Sequence, residues 1–493
     1  MAKLTVWQNG IRQDAFFEGA PLLSAVLVDM GLAVQQPCGG RGRCHKCLVK
    51  LEGMVSPPNA HEQQAGGRLA CQAVLLGDCQ AVLPSSQEMA QIQVDGQRVA
   101  GVLNPMSGPV GAAADIGTTT LALKLYDLKT GALLASAVRS NPQAAVAADV
   151  MGRIGAALQG ALPRLQQMAT DALERMLQDA CQRANVPESD VQSLVVTGNT
   201  TMLYLLTGRS PLSLSRAPFQ ADHLFGEWID LLGKRAYLPP CINAFVGADI
   251  TCAVLSSNLC ATPQAALLAD VGTNGEIALW KEGVLHVTST AAGPAFEGAG
   301  IHMGCGSIPG AIDSVWMEDG ALTVHTIGEK PAVGVCGSGL VDAIAVLLQQ
   351  GAIEETGAAN SPRFDLANGV YLLPGDVRNV QLAKAAIAAG IRTLMHTANT
   401  RPQDLKVMYL AGGFGSHLDI ASAVRIGLIP EELETKVRVI GNASLTGAAE
   451  LLLNTERMED LHQIVQCARH AELGGNPWFN EAYMEEMLFP GGG

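Results

Sequence analysis

The chain has 493 residues, 48% of them hydrophobic and 16% charged, with a formal net charge of −14. That length holds two or three domains with ample core, and the acidic balance excludes nucleic acid as a partner, because phosphate backbones bind basic faces. No apolar run reaches membrane-span length, and MAKLTVWQNG lacks the charged start and apolar core of a signal peptide, so no membrane contact and a cytoplasmic location are expected.

Residues 3–8 and 12–17 read as a hairpin around Asn9-Gly10, a strong turn pair. Leu22 to Met30 carries apolar residues at helical spacing and stops at Gly31. Then comes PCGGRGRCHKC, Pro37 to Cys47, with Cys38, Cys44 and Cys47 in one glycine-rich loop and a further cysteine, Cys71, in RLACQ. Thiolates so spaced can wrap a two-iron, two-sulfur cluster, a loop giving three sulfurs and a later strand the fourth. Gly39, Gly40 and Gly42 let backbone amides approach the sulfurs, and Arg41, Arg43, His45 and Lys46 favour thiolate over thiol. A zinc site usually pairs two short cysteine or histidine clusters, which is not this pattern. A short strand from Cys47 to Leu51, a polar connection through Pro57 and Pro58, and a last strand from Cys79 to Leu83 complete the unit. Twelve cysteines in a chain this long are not a disulfide framework, and the seven beyond Cys79 read as buried reduced thiols.

Hairpin, helix, cysteine loop and returning strands resemble the β-grasp fold of two-iron ferredoxins, over residues 1–84. The five-residue first gap is similar to that of the adrenodoxin-like members. RLAC resembles the sequence around the last ferredoxin cysteine, which favours Cys71 over its rival Cys79 as fourth ligand.

Residues 85–110, with PSSQE and NPMSGP, read as a linker, with an extended segment expected from Ile92 to Val102. From Ala112 the chain runs strand, Asp115-Ile116-Gly117-Thr118-Thr119-Thr120, strand, with a turn at Lys129-Thr130-Gly131. From Leu267 it does so again, with Asp270-Val271-Gly272-Thr273-Asn274-Gly275 between two strands and a Lys-Glu-Gly turn after them. Internal duplication constrains the fold more than any single motif. In each copy the glycine and threonine amides and hydroxyls can cradle phosphate oxygens, while the aspartate holds a magnesium ion or its waters. A strand from Val407 to Leu410 then runs into Ala411-Gly412-Gly413-Phe414-Gly415, glycines that let backbone pack on a base and ribose.

These elements resemble the actin, heat-shock chaperone and sugar-kinase superfamily. The fold implied is α/β, a duplicated ribonuclease-H-like ATPase domain over 111–493, with halves of about 111–262 and 263–493. Asp115 and Asp270 would hold magnesium, and Gly117, Thr118, Thr119, Gly272, Thr273, Asn274, Gly412 and Gly413 would bind ATP. Gly198-Asn199 and Gly337-Ser338 occupy the places of the two connecting elements, each ending a strand and opening a helix.

A two-iron ferredoxin unit joined to this ATPase fold resembles the reductive activators of corrinoid proteins. The likeness is carried by GNTTMLYLLTG (Gly198–Gly208), APF (Ala217–Phe219), AAGPAFEGAGI (Ala291–Ile301), QLAKAAIAAGI (Gln381–Ile391), AGGFG with IGLIP (Ile426–Pro430), and VIGNASLTGAA (Val439–Ala449). It implies ATP-dependent, one-electron reduction of cob(II)alamin to cob(I)alamin on the corrinoid protein of a methyltransferase system. It also implies a low-potential electron donor and, from the habit of the superfamily, a homodimer. Some relatives carry a separate domain before the ATPase fold, for which the linker leaves no room, and others end in a four-iron module where this tail holds only Cys467. Glu297 in GPAFEGAG is a lone carboxylate among small and apolar residues; it is either a structural acid satisfied by nearby amides or a catalytic group at the phosphates or the partner-facing cleft. The rival functions are a nucleotide- and redox-responsive sensor or scaffold, and a small-molecule kinase.

Overall fold

Period-two burial in the first strands sets the first sheet. Leu4 and Val6 turn inward from β1 (Ala2–Gln8), which pairs antiparallel with β2 (Ile11–Phe17). β3 (Leu48–Val55), β4 (Arg68–Leu69) and β5 (Leu75–Val82) complete the order β2-β1-β5-β3-β4, with β1 and β5 parallel. Helix Leu23–Asp29 lays Leu23, Val26 and Leu27 on this sheet. The computed structural model describes residues 1–8, 11–30, 32, 34, 40, 42, 47–83, 102–412 and 418–491. β3 and β5 are longer than the sequence suggests, and the stretch read as a polar connection contains the helix Ala60–Ala65. That helix is made by its cap: Asn59 and Glu62 each accept a hydrogen bond from the other's backbone N–H, both at 3.0 Å. No apolar period announces it.

The remaining chain builds two sheets on one plan. The first contains β6 (Val110–Ile116), β7 (Thr120–Asp127), β8 (Leu133–Ser140), β9 (Val191–Gly198), β10 (Glu227–Leu231) and β11 (Lys234–Leu238), in the order β10-β11-β9-β6-β7-β8. The second begins with β12 (Ala265–Val271), β13 (Gly275–Lys281) and β14 (Val284–Thr290). A small antiparallel insertion follows, from β15 (Ala311–Glu318), β16 (Ala321–Thr326) and β17 (Gly334–Val335), then the pair β18 (Phe364–Ala367) and β19 (Val370–Leu372). β20 (Leu405–Gly412), β21 (Val437–Gly441) and β22 (Ala468–His470) close the order β21-β20-β12-β13-β14-β22. In each sheet a three-stranded meander is extended from its first strand by two parallel strands, β9 and β11 in one, β20 and β21 in the other. The duplication seen in two loops is thus a duplication of whole sheets.

Helices Ala248–Ser256 and Ala443–Leu453, one from each half, pack together between the sheets. Gly447 permits the contact: a Cβ there would lie 2.0 Å from the carbonyl oxygen of Cys252. Helix Leu162–Ala184 covers the first sheet with a stripe of Leu165, Ala169, Leu173, Met176 and Ala180. The end of the expected linker is strapped down. Asn104 and Met106 donate to the carbonyls of Leu453 and Leu452 at 3.0 and 2.9 Å, and Thr455 donates to Asn104 at 2.8 Å. The extended stretch expected from Ile92 lies outside the described residues except for Val102. The first unit touches the second where Arg175 donates to the Met30 carbonyl at 3.2 Å.

Candidate functional site

A cavity of about 380 Å³ opens between the two large sheets, and both copies of the Asp-x-Gly-Thr turn line it. Each aspartate ends the first strand of its meander, and each turn hands the chain to the second strand, so the common topology brings Asp115 and Asp270 to the same cleft. Gly117, Thr118, Thr119, Gly272, Thr273 and Asn274 lie on its walls, with Asn199, Gly337, Gly412 and Glu297. Gly198 and Ser338 are not among the lining residues. Gly198 pairs with Ile116, where a Cβ would meet the Ile116 carbonyl at 2.7 Å, and the Ser338 hydroxyl faces the Cys336 thiol at 3.4 Å. Gly413 lies outside the described residues. Gly412 sits at φ +108°, and a Cβ there would lie 2.3 Å from the Val271 carbonyl oxygen and 2.8 Å from an Asp270 carboxylate oxygen. No side chain fits at that junction of β20 with the second turn.

Glu297 joins the two turns. Its Oε2 accepts the hydroxyls of Thr119 and Thr273, each at 2.9 Å, and those hydroxyls are 3.1 Å apart. The partners expected of a structural acid were amides; hydroxyls from both turns supply most of the satisfaction instead, and they place the acid inside the cleft.

Six carboxylates line the cavity, the exposed Asp149 and, deeper, Asp115, Asp249, Asp270, Glu276 and Glu297, with no lysine or arginine among the lining residues. Burial first, then mutual repulsion, pushes Asp115 up to about 7 and Asp270 up to about 8; burial pushes Asp249 to about 6 and raises Glu297 and Glu276. Stacked negative charge of this kind calls for a cation. Among the described residues no three carboxylate, histidine or cysteine side chains are grouped tightly enough to ligate a metal directly. Carboxylate oxygens are donors of the kind a magnesium ion takes, with waters completing its shell.

Asp249, Glu276 and Asn442 escaped the sequence reading. Asn442 donates to Asp115 at 3.1 Å and caps helix Ala443–Leu453 through Leu445 N–H at 2.7 Å. Their signals were slight: Asp249 lies in the first turn of a helix that follows Gly247, and Glu276 is a carboxylate at the head of a strand that is apolar from Ile277 to Trp280.

In the first unit, Cys47 and Cys71 flank the paired strands β3 and β4. Leu48 faces Leu69, and Ala70 N–H donates to the Cys47 carbonyl at 2.8 Å, so both buried thiols lie at one end of the sheet. Gln72 ties this end to the cysteine loop, donating to the Gly40 carbonyl at 2.6 Å, and lies 3.7 Å from the Cys71 sulfur. Cys79, on β5, pairs with Gly53 of β3, six positions along the chain from Cys47, roughly 20 Å at a strand's rise. Burial holds its thiol up at about 11. Cys38 and Cys44 lie outside the described residues.

Three family models divide the chain. Residues 9–76 match the 2Fe-2S iron-sulfur cluster binding domain, residues 110–262 the RACo middle region, and residues 264–493 the C-terminal ASKHA domain of RACo. The corrinoid activation enzyme RamQ of Eubacterium limosum is 30% identical, over 95% of this chain and 96% of its own length. The chain belongs to the family of corrinoid-activating enzymes. A second member, the Co(II) methylated amine-specific corrinoid protein reductase of Methanosarcina barkeri, is 31% identical over 55% of this chain and 54% of its own. The solved reductive activator for corrinoid, iron-sulfur protein shares the fold, with a TM-score of 0.75 at 24% identity, covering 99% of this chain and 98% of the other. The β-grasp and actin-like assignments stand on these matches, and no helix among the described residues is long and apolar enough to cross a membrane.

Proposed function

We infer that this protein is an ATP-dependent reductive activator that returns cob(II)alamin on a corrinoid protein to cob(I)alamin, one electron at a time. The observation that carries the reading is the likeness to a corrinoid activation enzyme through both the cysteine-loop unit and the paired-turn cleft. Cys38, Cys44, Cys47 and Cys71 would ligate a two-iron cluster, which supplies a one-electron carrier. The Gln72 amide, close to the Cys71 sulfur, would tune its potential.

In the cleft, Thr118, Thr119, Thr273 and Asn274 would meet the phosphates, and Asp115 and Asp270 the waters of magnesium. Gly412, with Gly413, would lie against the nucleoside. Nucleotide between the turns would compete with the Thr119–Glu297–Thr273 bridge and so bias the two halves toward another arrangement. A nucleotide drives reduction only by binding two arrangements unequally. The demand is modest: an electron step of ~0.2 V uphill costs roughly 5 kcal/mol. A low-potential donor to the cluster and a homodimeric assembly belong to the same proposal.

A double dissociation tests the two sites. Asp270→Ala should weaken magnesium-ATP binding in calorimetry and leave iron and sulfide content intact; Cys71→Ala should do the reverse. Full iron in Cys71→Ala with loss in Cys79→Ala would move the fourth ligand, and unaltered nucleotide affinity in Asp270→Ala would remove the metal assignment.

A further inference from the structure

Arg153 is fully buried on helix Val150–Ala156, yet among the described residues it makes no ion pair. Its donors go to neutral acceptors: Nε to the Ala147 carbonyl at 3.0 Å, Nη1 to Gln143 Oε1 at 3.3 Å and close to Met202 Sδ at 3.1 Å, and Nη2 to the Thr118 carbonyl at 2.7 Å. Asp149 favours the charged form from beyond contact distance, so the guanidinium is buried with no carboxylate touching it. That is costly, and a chain that only needed a packed wall would fill the space with an apolar side chain. The shortest of the four bonds ends on the first phosphate turn.

That turn is held at two consecutive carbonyls. Asn141 Nδ2 takes Gly117 O at 2.9 Å, and Arg153 takes Thr118 O. In a planar trans peptide the carbonyl and the following N–H point in opposite directions. Holding these two oxygens therefore fixes where the N–H groups of Thr118 and Thr119 point, on residues that both line the cavity. Neither N–H has an acceptor among the described residues. The cationic donor also polarises the peptide it holds, which makes Thr119 N–H a stronger donor. The second turn lacks such a brace: its Thr273 carbonyl is taken by Gly293 N–H at 3.0 Å, a neutral backbone donor.

Taking the cleft as a nucleotide site, we propose that Arg153 is a positioning residue for the phosphates, acting through the Thr118 carbonyl to aim the Thr118–Thr119 amides at an anionic oxygen. It touches no substrate itself. The two halves are then unequal: the first turn grips an anion with oriented amides, and the second meets it with a hydroxyl shared with Glu297.

The test is a ligand series on the full-length, cluster-loaded protein, comparing adenosine, ADP and a magnesium-bound non-hydrolysable ATP analogue. A merely structural arginine, once lost, would weaken all three alike. On the proposal, Arg153→Met leaves adenosine binding unchanged and weakens the two phosphate-bearing ligands by about tenfold or more, the loss of one charge-assisted contact. Arg153→Lys keeps the charge but cannot reach Ala147, Gln143 and Thr118 together, so it should fall between the two. Should Arg153→Met not fold, judged by circular dichroism and thermal unfolding, Arg153→Lys supplies the same comparison with a smaller but still phosphate-selective loss. Equal losses across the series, or none for the ATP analogue, would overturn the proposal while leaving the nucleotide site standing. Failure of the wild type to bind the analogue would instead overturn the site.

Discussion

Glu297 is the residue on which the cleft turns. One carboxylate oxygen takes a hydroxyl from each copy of the repeated motif, and burial raises the acid above its ordinary range. Glu297→Gln keeps the shape and one acceptor but loses the charge between the two turns. Nucleotide affinity should hold or tighten, while ATP turnover and cobalt reduction fall by about 100-fold if the carboxylate handles a proton or orients water. Turnover at the wild-type rate would return Glu297 to a structural role. The aspartates and threonines of the cleft were legible because their motif occurs twice. Asp249, Glu276 and Asn442 were not, because each enters the site only through the approach of elements far apart in sequence, and no local pattern marks a residue for that.

The hairpin of β1 and β2, the strands on either side of each Asp-x-Gly-Thr turn, and the helices after Asn199 and Cys336 were readable from period and turn chemistry, whereas the long helices Leu162–Ala184 and Pro374–Thr397 were not read. What failed follows from physics of other kinds. The helix Ala60–Ala65 is short and held by its capping box, and the strap from Asn104 to Met106 is a backbone contact that leaves no trace in side-chain pattern. The crossing of Ala248–Ser256 with Ala443–Leu453 is the element-scale feature to probe, since it joins the halves beside Asn442 and Asp249. Gly447→Ala places a methyl group against the Cys252 carbonyl and must push the helices apart. Destabilisation of about 1–3 kcal/mol is expected in thermal or denaturant unfolding, with weaker nucleotide binding. Unchanged stability would mean that the crossing tolerates a wider separation.

At the scale of the molecule, an acidic chain gathers six carboxylates in one cleft and sets cysteines at one end of a small separate sheet. The chain is strapped to the second half from Asn104 onward, so a linker as expected from the sequence would set the reach of the first unit by its residues before that point. Deleting several residues between 85 and 100 should slow cobalt reduction several-fold while cluster content and nucleotide affinity stay as in the wild type; an unaltered rate would show that the small unit delivers electrons from its docked position at Met30. The most direct test of the whole account mixes the reduced protein with magnesium-ATP and corrinoid proteins encoded near its own gene, and follows the cobalt(II) absorption band. The account predicts that the band decays as cob(I)alamin forms, with ATP required and Asp270→Ala inactive. A band that persists with every such corrinoid protein, while the cluster oxidises and re-reduces normally, would contradict it and leave a nucleotide- and redox-responsive sensor in its place.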